Sequence, residues 1–158
     1  MLDALRAASV AAGITGGWGI DALLGRVTRA HSDLDLGVDA DLVDLAILAL
    51  APLGYRLAVD QRPARLELQA DAGRVDLHPI VFRPDGSGVQ IGFDGQTFIY
   101  PPGSLAARGR IGGREVACGT PELQLTFHVG YEPSERDRRD LAALAEAFEL
   151  ELPAPYAD

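Results

Sequence analysis

Lysine is missing altogether. All 14 basic residues are arginine, set against 23 acidic ones, and the net charge is −9. A chain so acidic, without a basic stripe, is a poor host for a nucleic-acid backbone. It suits a cationic small molecule, or a ligand that arrives with its own metal ions. Cysteine is nearly as scarce. Cys118 is the only one, which excludes an internal disulfide framework. With only three histidines besides, the composition argues against a Cys/His zinc site. Long apolar runs are also lacking. The longest charge-free apolar stretch of the first half, Ala46 to Leu53, is far short of the roughly 20 residues that a membrane-spanning helix needs. Asp3 precedes a short Ala-rich stretch and no basic segment lies ahead of it, so no export signal and no membrane partner are expected. The protein is read as cytoplasmic.

What is present is a globular composition. The chain has 158 residues, 47% hydrophobic and 23% charged, which argues for one folded domain rather than disorder. A chain of that length buries roughly 70% of its unfolded surface and needs no metal or disulfide to fold.

Apolar residues at helical spacing predict a helix over residues 2–12, stopped by Gly13. Ile14-Thr15-Gly16-Gly17-Trp18 reads as a brief strand ending in a glycine pair, followed by a helix over 18–24 that Gly25 ends. Alternation of polar and apolar residues predicts a strand over 31–38. A helix over 41–50 turns Leu42, Leu45, Ile47 and Leu48 inward. Strands follow over 55–59, 64–69, 74–81, 89–93 and 114–118. Thr120 and Pro121 open a helix that reaches about His128 and ends at Gly130. Ser134, with Asp137 three residues on, opens the last one. The tail from Pro153 is expected to fray. The order is an α+β or mixed-sheet architecture, divided into a core over 1–100 and a C-terminal helical extension over 101–158.

Asp33 and Asp35 are the sharpest chemical feature. Residues two apart on a strand point to one face, so the two carboxylates project side by side. Like charges so placed call for a cation between them, and oxygen ligands favour Mg2+. An EF-hand loop does not fit, because Gly37 stands where a third carboxylate is needed and no Glu closes the loop. Gly16-Gly17, 16 residues earlier, lets backbone approach a phosphate at the start of a helix. A glycine pair, a helix and two carboxylates on a strand suit the delivery of a triphosphate to two metals. Such a site wants a third carboxylate. Asp76 and Glu67 both qualify, each flanked by apolar residues on a strand. Asp76 is the favoured third ligand and general base, with Glu67 as a second ligand or base.

The run Gly16-Gly17-Trp18-Gly19-Ile20-Asp21, with Gly25, Arg29, His31, Asp33 and Asp35, resembles the signature of antibiotic nucleotidyltransferases of the polymerase-β superfamily. It is similar to the 2″-aminoglycoside adenylyltransferases and resembles the small lincosamide nucleotidyltransferases still more closely. The likeness continues through 63–68, Val75-Asp76-Leu77-His78-Pro79-Ile80, 85–87, 123–125, 127–131, Asp137 and Asp140-Leu141, nearly the whole chain. The resemblance implies a polymerase-β-like fold, a mixed twisted sheet with helices packed on it. It implies two Mg2+ ions on Asp33, Asp35 and Asp76. It also implies attack of a drug hydroxyl on the α-phosphorus of a nucleoside triphosphate, AMP being the group transferred, and a homodimer.

Within that frame Arg29 is read as a phosphate contact and His31 as a partner of phosphate or of an Asp. Gly16 and Gly17 complete the nucleotide site. His78 and His128 read as supporting or core residues, Trp18 as packing, and Asp21 as a brace for the loop around Arg29. Tyr131, Glu132, Asp137 and Asp140 are expected to form an acidic, partly aromatic face that suits an acceptor with a basic amine. Two alternatives differ in substrate: an aminoglycoside, or a protein as in antitoxin-type nucleotidyltransferases. A non-catalytic binding module is a third reading, against which Asp33, Asp35 and Asp76 argue.

Overall fold

A computed structural model describes residues 1–129 and 131–157. Helix α1 (Leu2–Ala7) leads into β1 (Ala12–Thr15), α2 (Gly16–Leu24) and β2 (Leu34–Asp39). Then come α3 (Val43–Leu50), β3 (Arg56–Gln61), β4 (Arg65–Ala70), β5 (Gly73–Phe82), β6 (Gly88–Ile91) and β7 (Thr97–Tyr100). Strands β8 (Ala107–Ile111) and β9 (Arg114–Cys118) precede α4 (Pro121–Phe127) and α5 (Glu135–Phe148). Among the described residues nine strands make one twisted mixed sheet in the order β3-β4-β5-β2-β1-β9-β8, with β6 and β7 hanging from β5. β2 runs parallel to β5 and β1 parallel to β9, while the other pairs are antiparallel.

Two layers explain the sheet's polarity. Leu36, Leu66, Leu68, Val75 and Leu77 are fully buried in a cluster with Val43, Ala46 and Leu50 of α3 and Leu5 of α1. Ile20 of α2 packs with Leu141, Leu144 and Tyr156, tying the last helix to the first half of the chain. The polar positions that alternate with the buried ones on β2, β4 and β5 are thereby gathered on the other face.

Several expectations need correction. The expected strand over 114–118 is β9, but the C-terminal part is not helical from 101: β8 pairs with β9 to extend the sheet through β1, and the helices begin only at Pro121. The first helix stops at Ala7, because Ser9 takes a left-handed conformation and residue 12 already belongs to β1. Of the residues expected inward over 41–50, Leu42 and Ile47 pack partly buried against the core, but Leu45 is 40% and Leu48 68% exposed, and Val43, Ala46 and Leu50 are the buried ones. The tail is docked, since Tyr156 is buried and its hydroxyl donates to the His128 carbonyl at 2.7 Å. The expected helix end at Gly130 lies outside the described residues. Both helix starts agree with the sequence: the Thr120 side chain accepts from the Leu123 N–H, and Ser134 and Asp137 close a capping box.

Candidate active site

Thr15, Asp35, Asp76 and Glu67 stand in register across β1, β2, β5 and β4. Register partners on neighbouring strands share a face, so three carboxylates form a row. Their neighbours along the strands, Leu36, Val75, Leu77, Leu66 and Leu68, are all fully buried on the opposite face. Asp33, immediately before β2, joins this face through Arg74, whose Nη2 lies 2.6 Å from Asp33 Oδ2. Arg74 Nη1 is 3.7 Å from Glu67 Oε2. Arg65 Nη1 donates to Asp76 Oδ2 at 2.8 Å, and His78 Nε2 is 2.9 Å from Asp35 Oδ1. Two guanidinium groups and an imidazole are thus interleaved with four carboxylates, which offsets repulsion among them.

Asp76 is only 3% exposed. Burial pushes its carboxyl above the ordinary carboxylate range; Arg65 opposes this, and the charges of Asp35 and Asp33 add to it. Among the described residues no group of three or more His, Cys, Asp or Glu side chains encloses an ion-sized space as it stands. The donor set nevertheless fits a hard divalent cation. The carboxylates supply oxygen only, and Asp76 Oδ1 is buried without a hydrogen-bond partner. An unpartnered buried carboxylate oxygen is costly unless something cationic or a water meets it.

The glycine pair sits against this row. Gly16 opens α2 with φ of +59°, and a Cβ built on it would collide with the Asp35 carboxylate at Oδ2. A Cβ on Gly17 would strike Arg29 Nη2 and come within 2.6 Å of His31 Nδ1. The structure therefore brings Gly16, Gly17, Arg29, His31 and Asp35 together. It also gives the two cationic candidates carboxylate partners of their own. Arg29 forks onto Asp140, with Nε 3.0 Å and Nη2 2.7 Å from Oδ2. His31 Nε2 lies 2.6 Å from Asp21 Oδ2. Asp21 also accepts from the Thr28 N–H at 3.1 Å, so it braces the loop after α2. Trp18 packs on His31, ring centroids 4.5 Å apart, and against the core.

Asp137 and Asp140 leave the acidic acceptor face expected from the sequence. Asp137 is committed to the cap of α5 and Asp140 to Arg29, so Tyr131 and Glu132 alone remain exposed there.

Residues 1–144 match the family Aminoglycoside-2″-adenylyltransferase. The chain belongs to this family. It is 33% identical over 145 residues to the lincosamide resistance protein of Staphylococcus haemolyticus, a span of 91% of this chain and 89% of that one. Its structure matches that of the lincosamide antibiotic adenylyltransferase LnuA, lincomycin-bound, with a TM-score of 0.78, 33% identity and 90% of each chain covered. The solution structure of the antibiotic-resistance factor ANT(2″)-Ia matches with a TM-score of 0.72 and 25% identity, over 93% of this chain and 80% of that one. The α+β fold is that of the nucleotidyltransferases, and the chain is a nucleotidyltransferase whose relatives are antibiotic adenylyltransferases.

A cleft of about 400 Å³ opens beside Asp35 in this adenylyltransferase-family chain. Phe93, Phe98, Tyr100 and Phe127 wall it. Tyr100 meets Phe127 edge-on with ring centroids 4.8 Å apart, and Arg65 lies 5.6 Å over the Phe93 ring. His78 and His128 line it as well. His128 is held by its own helix, Nδ1 being 2.7 Å from the Gln124 carbonyl. Sequence reasoning missed Arg65, Arg74, Gln90 and Tyr100. The first two were readable, since they lie two residues from Glu67 and Asp76 on their strands and so share their face. Gln90 and Tyr100 carried no such signal, because their position depends on how β6 and β7 fold back on β5.

Gly16→Ala is expected to fail on two counts. A left-handed non-glycine residue costs roughly 1–2 kcal/mol, and the added methyl displaces Asp35. Urea unfolding should report a loss of that size, and pyrophosphate release should fall by far more than the lost stability explains.

Proposed function

We propose that this enzyme transfers AMP from ATP, with Mg2+, to a hydroxyl of a lincosamide-type antibiotic and releases pyrophosphate. The observation that carries the reading is the row Asp35–Asp76–Glu67, whose Asp35 end lies under a glycine-started helix and lines an aromatic cleft. Asp33, Asp35 and Asp76 would hold two Mg2+ ions. When bound, such ions lower the pKa of an attacking hydroxyl and offset the charge on departing pyrophosphate.

The chain's own groups do the rest. The N–H groups at the start of α2 receive phosphate oxygens where Gly16 and Gly17 allow close approach. Arg29, steadied by Asp140, lies beside Gly17 with its planar fork. Asp76 takes the proton of the acceptor hydroxyl, its basicity favoured by burial, and Glu67 stands beside it as the second carboxylate. The aromatic walls exclude water from the acceptor.

The cleft also favours the acceptor class. Aminoglycosides carry several ammonium groups, and each one buried needs a carboxylate. The cleft offers Asp94 besides Asp35, and Arg65 lines it too. A singly charged drug with a sugar-like ring of hydroxyls fits that balance better. By resemblance the working enzyme is a homodimer, and the cytoplasm supplies its nucleoside triphosphate.

Mass spectrometry of lincomycin, clindamycin, kanamycin and tobramycin after incubation with enzyme, ATP and Mg2+ tests the choice. One AMP should be gained by a lincosamide. AMP on kanamycin or tobramycin, with both lincosamides untouched, would reverse it.

A further inference from the structure

We infer that Gln90 is a positioning residue for Asp35, acting through His78. The inference rests on the reading of Asp35 as a metal ligand. Gln90 lies on β6, nearly buried, with its side chain between three partners. Its Nε2 is 3.1 Å from the Ala64 carbonyl and 3.1 Å from His78 Nδ1, and its Oε1 accepts from the Tyr100 hydroxyl at 2.7 Å.

These contacts fix a proton by elimination. A side-chain amide can be placed either way round. Ala64 decides the matter, because a carbonyl only accepts, so the NH2 end must face it. The hydroxyl of Tyr100 agrees, since it has the Oε1 end to donate to. The second N–H of Gln90 then points at His78 Nδ1, which must offer a lone pair. A neutral imidazole with its lone pair on Nδ1 carries its proton on Nε2. That proton faces Asp35 Oδ1, 2.9 Å away. The other tautomer sets N–H against N–H at Gln90 and a lone pair against the carboxylate at Asp35.

The outcome for Asp35 is directional. Oδ1 is held by His78, and Oδ2 is the oxygen that stands over Gly16 at the start of α2. The carboxylate is kept from turning, and one chosen oxygen is presented to the nucleotide side of the site. Partners that orient a ligand in this way commonly change metal affinity or activity by roughly 10–100-fold when removed. Gln90 is 55 residues from Asp35 in sequence, and only the fold of β6 against β5 brings it there.

The test reads the proton directly. Nitrogen-15 spectra of histidine-labelled, metal-free enzyme should show His78 protonated on Nε2 and bare on Nδ1. Gln90→Glu keeps the size but offers only acceptors, so Nδ1 should gain a proton while Nε2 keeps the one that faces Asp35. Gln90→Met keeps the volume without any hydrogen bond and should leave a mixture. In both variants the Mg2+ concentration for half-maximal pyrophosphate release should rise roughly tenfold or more, read below a melting transition that falls because the Ala64 carbonyl loses its donor. A residue that merely fills space would move neither the ring proton nor the Mg2+ requirement. The inference is overturned by a parent spectrum with His78 protonated on Nδ1. It is equally overturned by Gln90→Glu and Gln90→Met enzymes whose Mg2+ requirement stays within about twofold of the parent. The parent spectrum decides the tautomer even where a variant does not fold. Full activity in Asp35→Asn would instead remove the metal reading, and with it the purpose assigned to Gln90, while leaving the tautomer as measured.

Discussion

Asp35→Asn and Asp33→Asn are each expected to lose turnover at least about 1000-fold while the chain still folds. Asn keeps the shape of the side chain but not the negative charge that a divalent cation requires. Several kcal/mol of transition-state stabilisation depend on that charge, and each 1.36 kcal/mol is about tenfold in rate. The fold should survive because both side chains stand on the open face of the sheet, each partly exposed. In Asp33→Asn, Arg74 keeps Glu67 within 3.7 Å. In Asp35→Asn the Nε2–H of His78 can still donate to the amide oxygen. Circular dichroism melts establish the fold, and pyrophosphate release with Mg2+, ATP and a lincosamide reads the activity. Turnover near the parent's in either variant would sink the metal assignment.

Asp76→Asn should lower kcat by roughly 100-fold or more, the usual scale for losing a general base. Glu67→Gln, more exposed and farther along the row, should cost about tenfold or less. The same Asp76 variant makes a second, opposite prediction. Burial raises the Asp76 pKa in the folded chain above its unfolded value. A carboxyl shifted in that direction contributes stability that is present below its unfolded pKa and is lost as pH rises through the folded pKa. In metal-free buffer the Asn variant should therefore match the parent below about pH 4 and become the more stable of the two as pH climbs to 7. Denaturant unfolding at several pH values checks this. An inactive variant that is also more stable separates a catalytic carboxylate from a structural one. If Glu67→Gln is the dead enzyme and Asp76→Asn nearly normal, the two roles are exchanged.

Alternation was the most reliable signal for the site. Asp35 beside buried Leu36, and Asp76 and Glu67 between fully buried leucines and valine, declared their face because side chains on a strand alternate whatever the sheet around them, whereas Asp33 lies just before β2, which begins at Leu34 rather than at 31, and joins that face through Arg74. Caps were equally legible, since Thr120 and Ser134 satisfy N–H groups within four residues of themselves. The outer face of α3 misled for a different reason. Nearly every position there is apolar, so periodicity could not tell Ala46, which is buried, from Leu48, which is not.

Local chemistry was legible in the order of residues: which carboxylates share a strand face, where helices begin, and that a glycine pair precedes the acidic motif. Those features depend on neighbours a few residues apart, where backbone geometry leaves few choices. The partners of those residues came from the folded chain. Arg29 meets Asp140 across 111 residues, Arg74 meets Asp33 across 41, and Gln90 meets His78 through the return of a hairpin. β8 and β9 join the sheet beside β1 rather than leaving a helical tail. Each of these is a contact between distant segments, chosen by which strand edge remained to be paired and which buried charge remained to be met. No window of local sequence contains that information.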